Sequence, residues 1–212
     1  NDLQSSNYAL WKMAQYHHPM RPHTAKKSEG TRLYKSWAGL FYEYNVQLVV
    51  ECDAHVCKTT YPISPSYGKG SDEGFIRDNK RGTVYVGEGC WGAPIRPAND
   101  AKKWTRATGS FNQIKWVWVD SEMMEVRTVK TDNASSVGKL SESNRFKMPS
   151  GINIWKPKTG SVIKIKRRDN NQITNSNPNT EPSKSLEPKK PKATPRVTPK
   201  PKKTVKKAPN GL

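Results

Sequence analysis

Four histidines stand in the chain, three of them inside QYHHPMRPH (residues 15–23) and the fourth in ECDAHVCKTTYP (residues 51–62). Imidazole nitrogen is a common ligand for transition metals and, titrating near neutrality, a usual general acid or base. Asp53 and His55 are two positions apart, so in an extended stretch both side chains would leave from one side. If His17 came to the same place, two imidazoles and a carboxylate could hold a cation at about 2.0–2.2 Å. That is the chemistry these residues would do together, and it depends on which elements deliver them.

YALWKMAQY (8–16) has the length and apolar content of a buried strand that stops at His17 and a proline. In SEGTRLYKSWAGLFYEYN (28–45), Leu33, Trp37, Leu40, Phe41 and Tyr44 form one stripe of an amphipathic helix. Ser28 is a candidate cap for its start, and Asn45 can close it in a left-handed turn. VQLVVEC (46–52) reads as a second buried strand, nearly continuous in β-branched residues. Strand, helix and strand in so short a stretch predict a parallel βαβ unit. Ligands of open parallel sheets collect at the carboxyl ends of strands, and there His17, Asp53 and His55 would meet.

The segments after this unit are expected to be antiparallel. GTVYVGEG (82–89) is a strand closing on glycines, and 64–81 a polar excursion. IKWVWVD and MMEVRTVK form a hairpin around Asp120 and Ser121. INIWKP and SVIKIK suggest another around KTG at 158–160. The fold class is therefore α/β, a parallel βαβ followed by antiparallel strands. Residues 1–135 are expected to form the principal domain and 136–168 a small β extension. The Lys/Pro-rich stretch 169–212 lacks core material and is expected to be disordered.

The 212 residues carry a formal net charge of +19, with twelve Lys and Arg from residue 167 onward against Asp169, Glu181 and Glu187. Such a tail attracts polyanions or an anionic envelope without specificity. No reading helix or stacking platform accompanies the charge, which argues against specific nucleic-acid recognition. Cys52, Cys57 and Cys90 are odd in number and lack zinc-type spacing. No run of eighteen apolar residues suggests a membrane span.

Taken in order, WKMAQYHHPM, a helix, a strand, CDAHVCKTTYP and GTVYVGEGCWG resemble the second half of the calcineurin-like metallophosphoesterases, in their purple acid phosphatase-like branch. That family shows a strand ending in His-x-Pro, a strand ending in Gly-His-x-His before an Arg/Lys-Thr-x-Pro-like stretch, and a Gly-Thr-x-Tyr strand. The likeness covers about residues 8–130 and implies a sandwich-like half-domain.

By this resemblance, His17 and His55 correspond to metal ligands, and Asp53 replaces the first histidine of Gly-His-x-His. His18 and His23 correspond to imidazoles able to contact phosphate or protonate a leaving group. Arg21, Lys58, Arg77 and Arg96 are candidates for holding phosphate, and Trp91 for walling the substrate mouth. The implied activity is hydrolysis of a phosphate ester with two Fe, Zn or Mn ions that activate water and clamp the phosphate. The family's Asp-x-His, Gly-Asp-x-x-Asp and Gly-Asn-His-Glu segments do not occur in this sequence. Residues 1–212 are thus expected to be the carboxyl-terminal part of a longer hydrolase, inactive alone, with extracytoplasmic location. The alternatives are a non-catalytic polyanion- or surface-binding protein using its basic tail, and a metallophosphoesterase-like pseudoenzyme in which Asp53 marks a decayed site.

Overall fold

The computed structural model describes residues 2–6 and 8–168, so the expectation for 169–212 lies outside the described residues. Among the described residues eleven strands carry the architecture: β1 (Met13–Gln15), β2 (Leu48–Glu51), β3 (Cys57–Thr60), β4 (Ile63–Pro65), β5 (Phe75–Arg77), β6 (Val84–Gly87), β7 (Thr105–Gly109), β8 (Gln113–Val119), β9 (Met123–Lys130), β10 (Asn153–Ile154) and β11 (Val162–Lys166). The chain is a mixed α/β structure with parallel and antiparallel strands and few helices. No helix among the described residues is long and apolar enough to cross a membrane.

A five-stranded sheet runs β1-β2-β6-β3-β7. β1 and β2 are parallel with Met13 opposite Leu48, as the βαβ pattern predicts. β6 is also parallel to β2, with Leu48 opposite Val84, which corrects the antiparallel expectation for that segment. The reason is the intervening chain. Residues 52–83 hold β3, β4 and β5, and this excursion carries the chain back to the starting end, as a parallel partner requires. The supposed polar excursion 64–81 likewise contains structure, for β4 and β5 pair antiparallel from Ile63–Arg77 to Pro65–Phe75. Its core anchor is the buried Phe75.

The second sheet is built on β9. β8 pairs with it along Ile114–Val129 to Val119–Met124, the hairpin expected around Asp120. β10 and β11 pair with β9 rather than with each other, so they form no hairpin. They share the edge that β8 leaves open, β11 along Met123–Arg127 and β10 at Val129 and Lys130. The Arg106 guanidinium holds the chain between them through the carbonyls of Thr159, Gly160 and Val162.

Period-two alternation decides which core each strand residue enters. Val49 and Tyr85 join Tyr34, Ala38, Phe41, Phe75 and Trp104 on one face of the five-stranded sheet. Leu48, Val84 and Val86 face the other way, against Met124, Val126, Ile163 and Ile165 of the second sheet. The helical segment is Thr31–Leu33, a π turn at Tyr34–Ala38 and Gly39–Glu43. Its buried set is Tyr34, Ala38 and Phe41, while Leu40 of the predicted stripe is exposed. The wide π turn inserts an extra residue per turn and rotates the stripe. Gly30 rather than Ser28 precedes the first turn, while Asn45 closes the end with φ 56°, as expected. The first strand is shorter than 8–16. Tyr8 and Leu10 are exposed, and Trp11 leaves to donate its indole N–H to Asp120 O at 2.7 Å.

Beneath the strand ends lies a charged cluster that water does not reach. Glu51, Lys58 and Glu88 are each at most 1% exposed. The Lys58 ammonium contacts Glu51 Oε2 and lies 2.6 Å from Glu88 Oε1, and it also donates to Arg21 O at 3.1 Å. Glu51 Oε1 accepts the Tyr16 hydroxyl at 2.7 Å and the Met20 amide at 2.8 Å. Glu88 Oε2 accepts the His23 amide at 2.9 Å. One cation cannot neutralise two carboxylates. Burial pushes the Glu88 carboxyl up to about 7, reinforced by Glu51 and opposed by Lys58.

Removing only the cation strands both carboxylates in the interior. Lys58→Met is expected to lower stability by about 3–5 kcal/mol in urea unfolding at pH 8, whereas the triple change with Glu51→Gln and Glu88→Gln recovers most of that loss. The raised Glu88 value also gives a pH signature. Between its ordinary 4.5 and about 7, the folded state binds more protons than the unfolded one, so Glu88 makes stability fall as pH rises through that window. Glu88→Gln should flatten this slope; an unchanged slope would assign it to another group.

Candidate metal centre

The rim is made where β1 and β2 end. Tyr16 N donates to Val50 O and Cys52 N to His17 O, so the parallel pairing extends two residues beyond β1 and brings His17 beside Cys52. There the backbone turns sharply, with Asp53 at φ 65°, His55 at φ 57°, and Ala54 N donating to Cys52 O. The neighbouring end of β6 turns in the same sense, at Glu88 (φ 60°) and Cys90 (φ 85°). His55 N donates to Glu88 O and the Cys90 thiol to His55 O, which ties the two turns together. Gly87 permits this approach, since a Cβ there would stand 2.0 Å from Glu51 O. Left-handed backbone at four non-glycine positions costs about 1 kcal/mol or more at each and persists only under strong surrounding constraint.

The turn aims Asp53 at the two adjacent histidines. His17 Nε2 lies 3.6 Å from Asp53 Oδ1, and His18 Nδ1 lies 2.9 Å from Oδ2. One ligand atom from each of the three residues can be chosen so that all lie within 4.8 Å of one another. The imidazoles are exposed and Asp53 is half-buried, so the group opens to solvent from one side. Next to it is a cavity of about 460 Å³ lined by His18, Pro19, Lys27, Arg32, Leu33 and Asp53 among others. Two imidazole nitrogens and a carboxylate oxygen suit Zn, Fe or Mn, and their spacing fits such an ion with small side-chain movements. No second group of this kind occurs among the described residues.

A cationic side chain already contacts the carboxylate. Lys27 Nζ donates to both Asp53 oxygens, at 2.8 and 2.7 Å. Burial alone would raise the Asp53 carboxyl, but the hydrogen bonds from Lys27 and His18 outweigh it and hold the group at about 2. The Arg96 guanidinium fixes the turn from behind by donating to Asp53 O at 2.8 Å.

The other residues singled out in the sequence lie elsewhere. His55 does not join the group, for its Nδ1 lies 2.9 Å from Pro94 O. The rule that residues 53 and 55 share a side assumes extended backbone, and both are left-handed. His23 is no exposed proton donor. It is fully buried against Trp104, with Nε2 2.7 Å from Thr105 Oγ1, and burial followed by the Lys58 charge drives its imidazole well below its ordinary value. Lys58 is likewise buried in the Glu51–Glu88 cluster and cannot hold a substrate phosphate. Arg21 is buried over the Tyr34 ring and donates to the carbonyls of Met20 and Glu73. Arg77 stacks on Tyr61 at 3.7 Å. Trp91 is 79% exposed and lines a separate apolar cavity with Ile114, Val129 and Val137. Sequence reasoning did not assign Lys27 to the site, nor Glu51 and Glu88 to its support. Lys27 offered no signal, since it lies in a polar connection; the two glutamates, in otherwise apolar strands, did.

No protein-family model matches the chain, and no curated protein does. Among solved structures, a purple acid phosphatase isolated from yellow lupin (Lupinus luteus) seeds is similar in backbone course, with a TM-score of 0.45 and 13% sequence identity. The match covers 86% of this chain and 31% of the phosphatase, so the chain spans about a third of that protein's length.

Proposed function

We propose that His17, His18 and Asp53 ligate a transition-metal ion and that this rim serves a phosphoric ester hydrolase. The observation that carries this reading is the convergence of two imidazoles and a carboxylate at the carboxyl ends of parallel strands, beside an open cavity. The order of the sequence motifs from His17 through Asp53 to the Gly82–Gly92 segment supports the choice of a phosphate ester as substrate. Bound there, the ion would supply a Lewis acid for a phosphoryl oxygen and lower the pKa of a water. The chain's own residues would position it. Arg96 holds the Asp53 backbone, the Glu51–Lys58–Glu88 cluster holds the strand ends, and Lys27 and Arg32 place positive charge along the cavity. No second group of this kind among the described residues offers ligands for a second ion.

A second reading rests on Lys27. Its ammonium already contacts both oxygens of Asp53, which satisfies the carboxylate without an ion, as expected of a pseudoenzyme.

Titration of the protein with Zn²⁺ or Mn²⁺, followed by calorimetry and by p-nitrophenyl phosphate hydrolysis in the longest available form, tests the first reading. His17→Ala, His18→Ala and Asp53→Ala are each expected to weaken metal affinity by about tenfold or more and to lower metal-dependent hydrolysis. Unchanged affinity in all three would remove the site. Lys27→Ala separates the two readings. If an ion must displace the ammonium, removing Lys27 raises metal affinity by about tenfold, as expected for relief of one unit charge near a surface. No metal binding in either the parent or Lys27→Ala would favour the ion-free reading.

A further inference from the structure

One end of the second sheet carries charge that the metal centre does not use. β11 alternates Ile163 and Ile165 inward with Lys164 and Lys166 outward, and Arg167 and Arg168 follow directly. Across from them, the turn after β5 presents Lys80, with Asp78 Oδ1 accepting the backbone amides of Lys80 at 3.0 Å and Arg81 at 3.1 Å. A cavity of about 410 Å³ lies between the two segments. Among the described residues its charged lining is Lys80, Lys164, Lys166, Arg167 and Arg168, with no carboxylate.

The charges are only partly answered by the protein. Glu125 lies 3.5 Å from Lys164 and Glu122 lies 3.3 Å from Arg167. The ammonium groups of Lys80 and Lys166 have no carboxylate partner among the described residues. Arg168 donates to neutral oxygens, Asn45 Oδ1 at 3.0 Å, Arg81 O at 2.6 Å and Gly82 O at 2.5 Å. These bonds pin the end of β11 to the start of β6 and fix one wall of the cavity. Burial, opposed by the nearby Asp78 charge and aided by Arg81, holds the guanidinium below its ordinary value. The cavity thus gathers like charges whose mutual repulsion an anion would relieve.

We infer that this cavity binds a compact multivalent oxyanion of di- or triphosphate size. Several closely spaced phosphoryl oxygens can accept charge-assisted hydrogen bonds from Lys80 on one wall and Lys164 and Lys166 on the other at the same time. A di- or triphosphate offers more such oxygens than a single phosphate does. The inference is independent of the metal centre and concerns residues up to 168, not the basic stretch that follows.

The test uses the full chain with EDTA present, so that metal-dependent hydrolysis plays no part. Sodium tripolyphosphate is titrated in at about 0.15 M salt, by calorimetry and by thermal unfolding. A ligand that prefers the folded state raises the unfolding midpoint, whereas one that binds folded and unfolded chain equally does not. Binding is expected with a rise of several degrees, and orthophosphate should bind at least about tenfold more weakly. The variant Lys80→Gln/Lys164→Gln/Lys166→Gln changes exposed side chains only. It should weaken tripolyphosphate binding by about thirtyfold and abolish the midpoint shift. The control Lys35→Gln/Lys69→Gln/Lys139→Gln removes the same charge from exposed positions elsewhere and should stay within about twofold. Equal weakening in both triple variants, binding without a midpoint shift, equal affinity for orthophosphate, or no binding would each overturn the inference.

Discussion

A lysine held between two glutamates in a water-free interior sets the conditions for the rest of this molecule. Lys58 comes from β3, Glu51 from the end of β2 and Glu88 from the residue after β6, so the contact joins three adjacent strands at one level. Ion pairs of this kind often add little net stability, because desolvation offsets attraction. Their geometry is nevertheless demanding. Any shift of register among β2, β6 and β3 would separate a charge from its partner in a medium that cannot solvate it. Tyr16, Met20 and His23 extend the constraint to the chain after β1. The cluster therefore specifies where the strands end, and with them the rim.

From that foundation the His17–His18–Asp53 group follows in two short steps. Glu51 is two residues before Asp53, and its strand end must turn at once because β6 closes over it at Gly87. The turn is left-handed, and it swings Asp53 toward the histidine pair and His55 toward Pro94. Lys27 and Arg96 then hold Asp53 from two directions, one at the carboxylate and one at the carbonyl. The carboxylate stays ionised through the whole physiological range because the hydrogen bonds from Lys27 and His18 outweigh its partial burial.

Sequence patterns carried the regular parts of this fold further than its irregular ones. The parallel β1–β2 pair and the β8–β9 hairpin were legible because Val49, Val117 and Val126 sit in runs whose apolar period matches a strand. β7 was not, since Thr105–Gly109 has no apolar residue except Ala107 and is set in place by pairing with β3. The π turn at Tyr34–Ala38 has no local signal, and it moved the buried face off Leu40. For the site, histidines flanking strand ends pointed to the right rim, but the ligand partners depended on backbone dihedrals. Neighbours such as His17 and His18 diverge in a strand and converge only once the chain leaves it. Lys58 and His23 read as functional by residue type and turned out to be interior, because a charge count along the chain does not show which charges face one another.

The left-handed residues at the strand ends have a consequence for how this surface could be studied in isolation. Asp53, His55, Glu88 and Cys90 adopt backbone angles that a short peptide of the same sequence would rarely visit. A synthetic 50–60 segment would therefore present the same donors in a different arrangement and should not be taken as a mimic of the rim. The ligand geometry belongs to the assembled sheet. Any ligand that needs this arrangement would therefore bind the assembled sheet and stabilise it against unfolding.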